Sequence, residues 1–220
     1  MLMKNKFVLL FAAMVSVSAP AQTWNFSTDA QGWQIVDRVG SRATGYVTGG
    51  DQIYPADWSA TGGQSAGYIS HVDPSANTFF FMSPQNLGDY STYVGGTLNF
   101  SLNCDSPITW NQDNYLVLRS GGVSLFAQFV SPVQNTWSTY SVNLIPASFS
   151  DINNNPVNTV QLAAVLGNLT SLEISAEFTA SPPWEITGLD SVSFQAVPEP
   201  AAASLLLAAA CLGLGIRRRR

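Results

Sequence analysis

Cysteine, histidine and lysine are nearly missing from this chain. Of 220 residues, two are cysteine and one is histidine, and the two lysines, Lys4 and Lys6, stand at the very start. Cys211 falls in the apolar C-terminal run and Cys104 stands alone in the body. The body can therefore form no intramolecular disulfide and must rest on apolar burial, with Cys104 read as a small buried residue. One histidine and one body cysteine cannot supply the usual ligands of zinc. A Ser-His-Asp triad would have to be built on His71, whose setting reads instead as a solvated strand end. Charge is scarce as well, at 10% of residues, and six of the nine basic residues sit at the two ends. Between Gln22 and Val197, Arg38, Arg42 and Arg119 stand against thirteen acids, a formal charge of −10. Such a surface repels phosphate backbones, which excludes nucleic acid as a partner.

Long apolar runs are confined to the ends. Lys4 and Lys6 precede eleven apolar-rich residues, Phe7 to Val17, and then Ala19-Pro20-Ala21. A basic start, a short apolar stretch and an Ala-x-Ala site describe a secretory signal peptide, Met1–Ala21, cut by signal peptidase after Ala21. At the other end, Pro198-Glu199-Pro200 leads into sixteen uncharged residues, Ala201 to Ile216, and four arginines, Arg217, Arg218, Arg219 and Arg220. As a transmembrane helix the run is about 24 Å long at 1.5 Å per residue, which snorkelling arginines and local thinning fit to a bilayer. The arginines hold their end in the cytoplasm and leave everything before the helix on the far side.

This order of parts resembles the PEP-CTERM sorting signal of Gram-negative bacteria, with Pro198, Glu199 and Pro200 as its tripeptide. The resemblance implies an exosortase partner that cuts near the tripeptide and removes the helix. The protein would be anchored transiently in the inner membrane and then reach the cell surface or the extracellular space. The domain plan is a signal peptide over 1–21, one body over 22–197 and the sorting signal over 198–220.

Within the body, β-rich runs recur at Thr23–Ser27, Trp33–Asp37, Ala43–Thr48, Ala66–Ser70, Thr78–Met82 and Gly96–Asn103. They continue at Asn114–Ser120, Val123–Val130, Ser138–Leu144, Ser171–Thr179 and Gly188–Gln195. Breakers separate them, among them Gly62-Gly63, Gly95-Gly96, Gly121-Gly122 and Asn155-Pro156, and this pattern predicts an all-β sandwich. The Arg119–Val123 junction reads as a tight hairpin. Only Asn158 to Leu166 reads as helix, with Val160, Ala163, Ala164 and Gly167 along one stripe.

The segments in this order resemble the laminin B (laminin type IV) domain. The matching stretches include Phe26-Ser-Thr-Asp-Ala-Gln-Gly-Trp33, Gly62-Gly63-Gln64-Ser65-Ala66-Gly67-Tyr68-Ile69 and Phe79-Phe80-Phe81-Met82-Ser83-Pro84. Further along come Tyr93-Val94-Gly95-Gly96-Thr97-Leu98-Asn99-Phe100, Trp137-Ser-Thr-Tyr-Ser-Val-Asn-Leu144 and Leu189-Asp190-Ser191-Val192. The resemblance implies a jelly-roll β-sandwich with one short helix, related to carbohydrate-binding modules, in an extracellular structural or adhesive setting without catalysis. Laminin domains usually sit among cysteine-rich modules, which this chain lacks, so the architecture transfers and the ligand does not.

Candidate chemistry is thin. Glu173 and Glu177, four residues apart on one strand, share a face with Cα atoms about 13 Å apart. Catalytic carboxylate pairs of glycosidases need about 5–9.5 Å. The two glutamates are therefore expected on an exposed polar face, and the chain is not expected to be an enzyme. Calcium is the one cofactor with a case, as a structural ion. Acidic loops suit its oxygen sites, and the carbohydrate-module likeness places Asp190 and Asp29 at the ligand positions. Six tryptophans stay in the body. Trp33 and Trp137 read as core, whereas Trp58, Trp110 and Trp184 lie among Pro, Asp and Asn and are the candidates for an exposed ligand-binding surface. The expected function is that of an exported, non-catalytic structural or adhesive protein whose partners are extracellular polysaccharide or other surface proteins. A dedicated carbohydrate-binding module is the alternative, and a polysaccharide-active enzyme the more distant one.

Overall fold

The structure, a computed structural model, describes residues 21–40, 42, 50–110, 114–180 and 185–197. The signal peptide expected over 1–21, up to residue 20, the sorting signal expected over 198–220, the strand expected at Ala43–Thr48 and Trp184 lie outside the described residues. Among the described residues no helix is long and apolar enough to cross a membrane.

The strands are β1 (Gln22–Trp24), β2 (Gln34–Arg38), β3 (Gln52–Pro55), β4 (Asp57–Ser59), β5 (Tyr68–Val72) and β6 (Thr78–Met82). They continue with β7 (Thr97–Cys104), β8 (Tyr115–Ser120), β9 (Val123–Gln128), β10 (Ser138–Asn143), β11 (Ser171–Ser175) and β12 (Ile186–Gln195), and α1 (Thr159–Leu166) precedes β11. They form two antiparallel sheets. The first runs β10-β7-β12-β5-β4, with β1 pairing the far end of β12, and the second runs β3-β2-β6-β11-β8-β9. This is the expected sandwich with one helix.

The inner faces follow from alternation. In β7 the apolar inward set is Leu98, Phe100, Leu102 and Cys104; in β11 it is Leu172 and Ile174, both without exposure. These meet in one core that also takes Trp33, Phe26 and Phe194. The second sheet departs from simple alternation. Every residue of β6, Thr-Phe-Phe-Phe-Met, is buried, because its outer face carries a smaller apolar cluster of Val36, Phe80, Met82, Tyr115, Val117 and Phe126 with Ile152 against it. A strand covered on both sides reads as a continuous apolar run.

Several boundaries moved for local reasons. β1 stops at Trp24, and Phe26 then takes φ 49°. β5 starts two residues late, at Tyr68, just after Gly67, where a Cβ would lie 2.1 Å from the Phe26 carbonyl oxygen. β3 and β4 were not foreseen; both are short edge strands, and Pro55 ends the first. The hairpin at Gly121-Gly122 forms as read, with Ser120 opposite Val123. The helix is capped by Asn158, whose side chain accepts from the Gln161 N–H while Gln161 accepts from the Asn158 N–H. Its buried face is Leu162, Val165 and Leu166, not the stripe expected from Val160, which is 78% exposed. The three large side chains at i, i+3 and i+4 outweigh the alanines in fixing which side packs.

Two further expectations are corrected. Glu173 is fully buried, not exposed, and Glu177 is half-buried. Glu173 sits on the covered outer face of the second sheet, where Arg119 grips it bidentately (Nε to Oε1 2.7 Å, Nη2 to Oε2 2.9 Å) and Arg38 adds a further ion pair. Trp137 is half-buried on the outer side of the first sheet, not in the core, whereas Trp33 is 2% exposed as expected.

Candidate functional site

Alternation also fixes what the first sheet shows to solvent. While Leu98, Phe100 and Leu102 point inward, Thr97, Asn99 and Asn103 of β7 are half-buried on the other side, and β10 pairs Thr139, Ser141 and Asn143 with Ser101, Asn99 and Thr97. This is a face of hydroxyls and amides. At one end of it stand Tyr68 and Trp137, their rings 5.5 Å apart and edge to face at 80°. Both rest on Gly188 of β12: a Cβ there would lie 3.1 Å from Trp137 Cη2 and 3.2 Å from Tyr68 Cδ2. The Trp137 indole N–H donates to the Gly62 carbonyl at 2.9 Å, which fixes the ring. A cavity of about 230 Å³ opens here, lined by Gly62, Tyr68, Ser70, Asn103, Asp105, Trp137, Ile186 and Gly188. Aromatic rings beside amide and carboxylate groups offer stacking plus hydrogen bonding, the combination that a sugar ring needs.

Asp190 stands behind this site. It lies at the irregularity of β12, next to Ser191 with φ 56°, and has no exposure. Oδ2 accepts from the Ser65 N–H at 3.0 Å and Oδ1 from the Ser191 N–H. Asp29, the other expected calcium ligand, is exposed and accepts from the Gln31 N–H at 2.8 Å in a local turn. Each carboxylate thus serves its own backbone donors, and among the described residues no group of three or more His, Cys, Asp or Glu is placed to hold a metal ion.

Of the three candidate tryptophans, Trp58 is 41% exposed on edge strand β4, its indole donating to the Phe26 carbonyl at 2.7 Å. Trp110 is half-buried and lines a separate cavity of about 290 Å³ with Gly40, Asn77, Thr78 and Glu177. The structure brings neither to the Tyr68–Trp137 pair. Composition around Trp137 gave no sign of exposure; the signal available was Gly188, a residue without a side chain in mid-strand.

Gly63-Gln64-Ser65-Ala66-Gly67 spells Gly-x-Ser-x-Gly. Its setting is not that of a nucleophile: it joins β4 to β5 rather than a strand to a helix, and the Ser65 hydroxyl lies by Asp190 and Ser191. His71 is engaged elsewhere, with Nδ1 3.0 Å from Asp57 Oδ2 and its ring 5.6 Å from that of Tyr54. Cys104 is fully buried, and burial pushes its thiol up to about 11, away from nucleophilic chemistry.

A second group of acids lies near Trp110. Asp37 accepts from the Ser75 hydroxyl at 2.8 Å, Asp73 from the Ser75 N–H at 3.1 Å and Glu185 from the Thr179 N–H at 3.0 Å. One oxygen on each of Asp37, Asp73, Glu177 and Glu185 is buried without a donor among the described residues. Burial, helped by neighbouring carboxylates, raises Asp73 to about 7 and Glu177 to about 8, and burial moves Glu185 upward against the hydrogen bonds it accepts from the Phe178 and Thr179 N–H groups.

The sequence profile of the Laminin B (Domain IV) family matches residues 79–209, more than half of the chain. The chain belongs to that family. In three dimensions it is similar to the L4b domain of human laminin alpha-2, at a TM-score of 0.61 and 8% identity, covering 81% of this chain and 98% of that one. It is also similar to the family 11 carbohydrate-binding module of the Clostridium thermocellum cellulase Lic26A-Cel5E, at a TM-score of 0.51 and 9% identity, covering 82% and 97%. At such identities the likeness is one of fold. No curated protein matches in sequence.

The raised carboxyls set a pH dependence. The folded state holds their protons more tightly than the unfolded chain, so their contribution to stability is full below about 4 and is lost as pH rises towards about 8. Glu177→Gln, which keeps the shape and removes the charge, should raise the melting temperature at pH 9 and leave it nearly unchanged at pH 4.5. Equal shifts at the two pH values in differential scanning fluorimetry would contradict this.

Proposed function

We propose that this chain is an exported, non-catalytic surface or matrix protein that contacts extracellular polysaccharide through the outer face of its first sheet. The observation that carries the reading is the Tyr68–Trp137 pair laid over Gly188 beside Asn103 and Asp105. Glu173, which a hydrolase would need free, is instead neutralised by Arg119 and Arg38, and this supports a binding rather than a catalytic role. The family and the two structural likenesses agree with such a role by analogy. In affinity electrophoresis, the protein should be retarded by exopolysaccharide from its own host. Trp137→Ala should weaken that retention about tenfold or more, since a central aromatic anchor is worth roughly 2 kcal/mol. Trp58→Phe, Trp110→Phe and Trp184→Phe are the parallel variants. A larger loss at any of them than at Trp137 would move the binding surface to that tryptophan.

Delivery to that setting is the task of the two ends. Signal peptidase would remove Met1–Ala21, and an exosortase would act near Pro198-Glu199-Pro200 after Ala201–Ile216 and Arg217–Arg220 have held the protein briefly in the inner membrane. The support is the order of motif, apolar run and basic cluster in the sequence. Intact-mass measurement of surface-associated protein should find a chain lacking Ala201–Arg220. A mature C-terminus that still carries four arginines would refute exosortase processing.

Structural calcium at Asp190 belongs to the same proposal. It is supported by a carboxylate without exposure whose Oδ2, like the Gly67 carbonyl, lies against Gly63. An ion bound only by the folded state would add about 2.7 kcal/mol at a hundred times its Kd. Melting should then occur several degrees lower in chelator than in millimolar calcium, with the difference lost in Asp190→Asn. Identical wild-type melts would remove the metal and leave Asp190 as an acceptor of backbone N–H groups.

A further inference from the structure

We propose that the Tyr68–Trp137 face takes neutral glycan chains and rejects those bearing carboxylates. The inference rests on the reading of that face as the polysaccharide surface, and it adds the charge class of the ligand.

The three arginines of the body all lie with the other sheet. Arg38 belongs to β2 and Arg119 to β8, and both are spent on Glu173. Arg42 stacks its guanidinium over the rings of Tyr115 and Phe126, 4.8 and 4.5 Å from their centroids, and donates to the Ser150 hydroxyl at 2.8 Å. No lysine occurs between Gln22 and Val197. The first sheet therefore offers no arginine or lysine to a bound anion, and the one histidine, His71, is engaged by Asp57. What the face does carry is acid. Asp105 is exposed and lines the cavity beside Trp137. Its Oδ1 accepts from the Ile186 N–H at 2.8 Å and from the Ser106 hydroxyl at 2.8 Å, while Oδ2 has no protein donor among the described residues. A free carboxylate oxygen at the edge of an aromatic platform is an acceptor for ligand hydroxyls and a repulsive neighbour for a ligand carboxylate.

The apolar surface continues past the rings. Val72 and Ile186 stand opposite each other on β5 and β12, 46% and 44% exposed, and Ile186 also lines the cavity. A stripe of Trp137, Tyr68, Ile186 and Val72 bordered by Asn103, Ser70 and Asp105 matches the apolar face and hydroxyl rim of a neutral hexose chain. A uronate chain would place charge against Asp105 with no cation to answer it. Such a pairing is disfavoured by design of the surface rather than by lack of shape fit.

The test uses the full-length protein and two polymers with the same backbone: a soluble neutral β-glucan and the same glucan oxidised at C6 to the uronate. Affinity electrophoresis at low salt should show at least tenfold stronger retention by the neutral polymer. The gap should shrink as added salt screens the repulsion. Asp105→Asn, which keeps Oδ1 as an acceptor for the Ile186 N–H, should narrow the gap while retaining binding to the neutral glucan. Equal or stronger retention by the oxidised polymer would overturn the charge assignment. Binding to the neutral polymer that survives Trp137→Ala and Tyr68→Ala would overturn the site itself; retention by neither polymer would overturn the neutral-glucan assignment, whereas the polysaccharide reading on which it rests falls only if host exopolysaccharide also fails to retard the protein.

Discussion

A carboxylate with no contact to solvent, that of Asp190, holds the first sheet and its loop together. It lies where β12 changes register, between the part that pairs β5 and the part that pairs β1. From there it takes the N–H groups of Ser65 and Ser191. Through Ser65 it fixes the loop that contains Gly62 and Gly63, and the Gly62 carbonyl in turn orients the Trp137 indole. The same loop ends at Gly67, packed on the carbonyl of Phe26. One buried side chain, accepting from backbone donors, thus connects the N-terminal stretch, the β4–β5 connection and the aromatic pair. Such a group is costly to strand without its donors, which is why the geometry around it is tightly determined.

The two sheets have been put to different uses. The outer face of the second is closed over by apolar side chains and by the Glu173–Arg119–Arg38 ion pairs, so its charges neutralise one another out of reach of ligand. Breaking such a group from one side costs about 3–5 kcal/mol, which marks it as architecture. The outer face of the first sheet is open, hydroxyl-rich and without arginine or lysine. Segregating the few cations onto one sheet leaves the other with a single sign of charge, and a surface of that kind selects its partners by what it repels as much as by what it holds.

Membership of the Laminin B (Domain IV) family accounts for the sandwich and for the order of its segments. It does not by itself supply a ligand, because neighbours related at 8% and 9% identity share the path of the chain and little of its surface. The features that shape its open face are local: a glycine at position 188 that lets two rings lie on a strand, an acid at 105 beside them, and a body with three arginines and no lysine.

Composition and pattern alone determined the acidic body, the β-rich sandwich, the place of the one helix and the tight turn at Gly121-Gly122. Each of these depends on residues near one another in the chain or on simple counts. Tertiary structure decided everything that depends on which face meets what. Glu173 reads as a surface glutamate until two arginines, 54 and 135 positions away, close on it. Trp137 reads as a core filler until β10 turns out to be an edge strand beside an open face. The helix reads as packing through Val160 until its neighbours select Leu162, Val165 and Leu166. Alternation within a strand tells which residues share a side, but only the pairing of distant strands tells whether that side is buried or open.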